Sequence, residues 1–172
     1  MSPFFKESAA VSLDENVTVG AVSYLDVDAS GRLLVTDQVG KAVYLFDKRG
    51  KWLRTLSPEV CHPGFHWVPI KATFCSDGSI LVLNSMPWGF KFSGDGNCLG
   101  KLEDKFIAPS HIGCSSSGEM YGFYIDLEGS YIKKMDKSGK ELKRFGYQTE
   151  EFRNLRYRVP GGGLACDDSG FV

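Results

Sequence analysis

Side chains able to do chemistry are sparse in this chain and gather in four places. The first is CHPGFH, where Cys61, His62 and His66 stand close together, with His111 further on. Zinc takes such nitrogen and sulfur ligands, and a His-x-x-x-His spacing sets two imidazoles on one face of a helix. Pro63 and Gly64 fall between them and oppose a helix, so they read as surface or linker histidines. The second place is a set of oxygen donors, Asp37, Asp126 and Glu128, with Asn84. Brought to one axis, such donors hold a divalent cation.

Third come the aromatics Phe65, Trp67 and Trp88. On an open face they would stack on a sugar ring or bury a peptide side chain; packed inward, Phe65 and Trp67 would plug a gap between elements. The fourth place is the segment from Tyr131 to Arg158, with nine basic residues against four acidic ones. Lys140, Lys143 and Arg144 fall on an expected outermost strand, where charge blunts edge pairing. Arg153, Arg156 and Arg158, interleaved with Phe152 and Tyr157, remain as binding candidates that would steer an anionic partner. The chain has no Gly-x-Ser-x-Gly and no phosphate loop. Five cysteines (Cys61, Cys75, Cys98, Cys114, Cys166) are odd in number and spread out, without a Cys-x-x-Cys pair. They are expected as free thiols, Cys75 exposed at a turn, Cys114 and Cys166 as small core residues at the place of Val27, and not as disulfides or zinc ligands.

The elements that position these residues repeat. Tyr24 to Leu56 holds four short apolar runs, YLDV, LLVTD, AVYLFD and KWLRTL, closed by the turns DASG and DKRG. Runs rich in Val, Leu, Tyr and Phe between glycine-bearing turns predict an up-and-down antiparallel sheet. The first-turn glycine recurs as Gly31, Gly78 and Gly118, and the second-turn glycine as Gly50, Gly96 and Gly139. Repetition every ~40–50 residues predicts an all-β fold, a β-propeller segment of about three four-stranded blades plus the start of a fourth. The expected divisions are a lead-in at 1–20 (a stray outer strand or the tail of a preceding unit), blade one with its linker at 21–68, blade two at 69–109, blade three with a long loop at 110–161, and the opening of blade four at 162–172. Stopping one residue past Phe171 would leave strands unpaired, so a fragment, or a ring completed by another chain, is expected.

At 172 residues with 42% hydrophobic and 24% charged residues, the chain has material for a core. A net charge of −1 argues against nucleic acid as partner. No apolar run is long enough to span a bilayer as a helix, and MSPFFKESAA lacks the apolar core of a secretion signal.

The stretch VDASGRLLVTDQVGKAVYLFDKRGKWLRTL resembles the NHL-like six-bladed propellers of bacterial type, closely in blade one, moderately in blade three and poorly in the middle of blade two. CHPGFHWVP is similar to the linker that follows a blade in those proteins. The resemblance implies a fold more than an activity, since members include binding scaffolds, lactonases and lyases. Its enzymes hold a metal near the central axis; here Asp37 and Asn84 match the family's structural Asp, and Phe123 takes that place in blade three. The resemblance leans towards export, and compartment is otherwise left open. The expectation is a non-catalytic scaffold without cofactor. Its irregular loop face, carrying His66, Trp67, Trp88, Arg153, Arg156, Tyr157 and Arg158, would meet a protein, peptide or glycan. The alternative is part of a metal-dependent lactonase- or lyase-like enzyme.

Overall fold

A computed structural model describes residues 14–85, 88–103, 109, 111–115, 117–126 and 129–146. Among these residues twelve strands form three antiparallel sheets, each running up and down in chain order. The first sheet holds β1 (Val22–Val27), β2 (Leu33–Asp37), β3 (Ala42–Phe46) and β4 (Trp52–Leu56). The second holds β5 (Pro69–Phe74), β6 (Ile80–Asn84), β7 (Gly89–Phe92) and β8 (Cys98–Lys101). The third holds β9 (His111–Cys114), β10 (Met120–Asp126), β11 (Gly129–Met135) and β12 (Glu141–Phe145). This is a partial β-propeller of about three blades.

The turns explain why the chain reverses where it does. In DASG the Asp28 carboxylate accepts hydrogen bonds from the Ser30 and Arg32 amides, at 2.9 and 2.8 Å, and Gly31 takes φ 83°, open to glycine at little cost. Asp47 and Asp136 cap DKRG and DKSG in the same way. The recurring Asp-x-x-Gly is thus a self-contained turn whose carboxylate replaces missing ladder partners.

Packing between blades follows from strand periodicity. Every residue of β6 is buried, because both its faces meet a neighbouring blade. Ile80 and Val82 point into one core with Leu34, Val43, Leu45, Leu56, Phe90 and Phe92. Leu81 and Leu83 point the other way, into a second core with Ile112, Met120 and Met135. Burying each such side chain contributes about 1.5–3 kcal/mol. The first strand of each blade lies innermost, β1 against β5 and β5 against β9. There Asp26 of β1 accepts from the Thr73 hydroxyl and the Phe74 amide, both at 2.7 Å. On the outside, the Glu103 amide donates to Ser138 O at 3.0 Å, and the Asp14 amide donates to Gly50 O at the same distance. Residues 14–18 therefore lean on the outer hairpin of blade one much as the end of β8 leans on that of blade three.

The cysteines differ from expectation. Cys61 is bonded to Cys98 and Cys75 to Cys114, with Cα–Cα distances of 6.1 and 4.9 Å, inside the range a disulfide needs. The sequence separations, 37 and 39, are close to one repeat. What looks scattered along the chain is brought side by side when blades stack. Cys75 is accordingly buried, not an exposed thiol. Val27, the blade-one counterpart of Cys114, is 60% exposed and not a core residue. Cys166 lies outside the described residues.

Candidate functional site

The connections after the second and fourth strands meet at one end of the sheets, and buried polar groups hold them there. Asp37, fully buried at the end of β2, accepts from the amides of Gly20 (2.6 Å), Ala21 (2.9 Å) and Gly40 (2.9 Å). Burial pushes its pKa up, but these amides outweigh burial and hold the carboxyl below its ordinary value. A Cβ at Gly40 would run into that carboxylate. Asn84, the equivalent residue of β6, accepts from the Val68 amide at 2.5 Å and donates to His66 O at 3.2 Å. Both side chains clip incoming backbone to the end of a second strand, so their oxygens are already engaged. On β10 this place, six residues past the first-turn glycine, falls on Tyr124; Phe123, expected there, is instead level with Thr36 and Leu83. Glu128 lies outside the described residues, and Asp126 closes β10 opposite Gly129.

Of the expected binding aromatics, Phe65 and Trp67 turn inward. Their rings meet Phe90 nearly edge-on, with centroids 4.8 and 5.7 Å away, and both pack on the core between blades one and two. Trp88 packs on that core too, and the Lys101 ammonium lies 3.7 Å from its ring centre. His66 is exposed, while His62 is half-buried with its ring edge-on to Phe90 at 5.7 Å. His111 sits on innermost strand β9, away from the linker, and no group of three or more metal-ligating side chains forms among the described residues. The linker also leaves Val60 90% exposed, and the loop after β2 leaves Val39 71% exposed. Arg153, Arg156, Tyr157 and Arg158 lie outside the described residues. Arg144 and Lys143 do fall on the outermost strand of their sheet, as expected, with Arg144 bonded to Glu141.

A cleft of about 650 Å³ opens at the other end, that of the short turns. Tyr24, Asp26, Thr73 and Phe74 wall it, and the Cys75–Cys114 pair joins β5's turn to β9 at its floor. The Arg32 guanidinium spans its rim, paired with Asp28 at 2.7 Å and donating to Gly94 O at 2.7 Å. The irregular loops stand out in the sequence, and this inner wall does not. The available signal was positional: residues at fixed distances before the first-turn glycines must line the axis, whatever their type.

No protein-family model matches the chain, and no curated protein sequence matches it. Solved structures do. The chain is similar to the hydrazine synthase of Kuenenia stuttgartiensis, with 12% identity and a TM-score of 0.58, over 81% of this chain and 39% of that one. It is similar to the WD40 β-propeller domain of Doa1 at 14% identity and TM-score 0.54, over 74% and 41% of the two chains. It is similar to streptogramin B lyase at 14% identity and TM-score 0.54, over 75% and 41%. The chain thus spans about two fifths of the structures it matches, and at such identities the likeness establishes the propeller fold alone.

Proposed function

We propose that this chain is a non-catalytic propeller scaffold, NHL-like and of six-bladed type, that presents its irregular loop end to a protein or peptide. Further blades, from the same chain or a second one, would complete the ring. The observation that carries this reading is the commitment of Asp37 and Asn84 to backbone groups. The polar residues best placed to hold a metal at that end are occupied in shaping loops. A glycan is the weaker partner, because Trp67 is spent on the core, leaving exposed Val39, Val60 and His66 as a small apolar and polar surface. Arg153, Arg156, Tyr157, Arg158 and Trp88 are proposed to extend it.

The test is selection of peptides on the immobilised chain, with counter-selection on a Val39→Asp/Val60→Asp variant that keeps the parent melting temperature. Enrichment of peptides that bind the parent and not the variant supports the scaffold. The metal-dependent lactonase- or lyase-like alternative requires a stoichiometric divalent ion after chelator-free purification, with stability lost on chelation. Finding both would overturn the proposal.

A further inference from the structure

One repeated position on the inner wall remains unused by the hydrogen bonds that tie the blades. Tyr24, Lys71 and His111 each lie seven residues before a first-turn glycine, Gly31, Gly78 and Gly118. The ladders confirm their equivalence: they stand opposite Thr36, Leu83 and Phe123, each five residues past the same glycines. Alternation along a strand puts them on one side with the residues two further on, Asp26, Thr73 and Gly113. At that next level Asp26 and Thr73 are already joined at 2.7 Å across β1 and β5.

Lys71 sits in the middle of the upper level. Its ammonium lies 5.5 Å from the centre of the Tyr24 ring. Among the described residues no carboxylate lies within ion-pair distance of it; Asp28, Asp77, Glu119 and Glu141 are taken by other cations. Lys71 is nevertheless half-buried, and burial lowers its pKa. Burial lowers that of His111 as well, helped by the charge of Lys71 nearby. The Nδ1 atom of His111 is enclosed and has no hydrogen-bond partner among the described residues. A half-buried cation without a counter-ion, next to an unsatisfied imidazole, is costly unless something binds there.

We propose that Tyr24, Lys71 and His111 form an anion site on the channel wall for the carboxylate of a small organic ligand. Lys71 supplies the charge, and the His111 imidazole and Tyr24 hydroxyl supply hydrogen bonds. The ring of Tyr24 offers a flat wall to the rest of the ligand. A singly charged group fits better than a doubly charged phosphate, because the Asp26 carboxylate stands two residues along the same side of β1 and repels added negative charge. This site lies on the inner strands and stands or falls separately from the loop-face reading.

Sodium acetate is the probe, titrated into the whole chain at constant ionic strength against sodium chloride. The readout is the imidazole nitrogen spectrum, in which His62 and His66 serve as internal controls. We expect a saturating shift at His111 with a Kd of about 1–10 mM, within reach of a ligand of so few atoms. Phosphate should bind at least tenfold more weakly. Lys71→Met and Lys71→Gln should abolish saturation while melting at or above the parent temperature, because each removes an unpaired half-buried charge. Equal shifts at all three histidines, saturation that survives in both variants, or variants that melt well below the parent would overturn the site. Phosphate binding as tight as acetate would overturn its assignment to a singly charged carboxylate.

Discussion

Removing one disulfide tests how the blades are held together. Cys75–Cys114 bonds the inner strands of blades two and three, and Cys61–Cys98 bonds the linker after blade one to the outer strand of blade two. Each closes a loop of comparable length, with sequence separations of 39 and 37. Constraining an unfolded loop of that size contributes about 4 kcal/mol in the chain-entropy account. For a domain of this length, each kcal/mol moves the melting temperature by about 2–4 °C, so each bond is worth roughly 8–16 °C. The paired substitution Cys75→Ala/Cys114→Ala should lower the urea-derived stability by about 4 kcal/mol, and so should Cys61→Ala/Cys98→Ala. Reductant added to the parent should produce both losses together and almost none in a variant lacking all four. Thiol titration of the denatured, unreduced parent should find at most one reactive cysteine of the five. Five titratable thiols in oxidised protein, or double variants as stable as the parent, would refute the reasoning.

Two other outcomes follow from the same geometry. Leu45→Asp places a carboxylate in the core between blades one and two, where Leu45 is 1% exposed, and should cost about 3 kcal/mol or more in urea unfolding. Asp37 has a folded pKa below the unfolded 3.8, so its contribution is full above about pH 4 and disappears as pH falls through the folded value. The urea midpoint should therefore drop between pH 6 and pH 3, and Asp37→Asn should lower it at pH 6 and flatten that fall.

The strands were legible because the same turn chemistry recurs. Asp28-Ala29-Ser30-Gly31 and Asp136-Lys137-Ser138-Gly139 need nothing beyond their own side chains to close, so local sequence suffices to place them. The second strands were legible too, LLVTD and ILVLN being buried along nearly their whole length. The structural role of Asp37 was readable from its place at a strand end. Relations between blades were not readable residue by residue. Cys75 meets Cys114, and Asp26 meets Thr73, only because blades stack with a particular offset. Trp67 shows the same limit: its type suits a binding face and a core equally, and only the position of Phe90 decides.

That contrast bears on where function should be sought. Polar groups that cross between blades are consumed in doing so: Asp26 by Thr73 and Phe74, Arg32 by Asp28 and Gly94, Arg54 by Asn97. A residue kept at such a junction for stability alone would show the same engagement. Lys71 lies one level along the same junction and, among the described residues, engages only the face of an aromatic ring. Replacing it with an apolar residue should leave the fold as stable or more so, so stability does not account for a lysine at this position. On this reasoning the inner wall, built from the most regular part of the repeat, is as informative about function as the loops that fail to repeat. The two are separable because a loop-face variant such as Val39→Asp leaves Lys71 untouched.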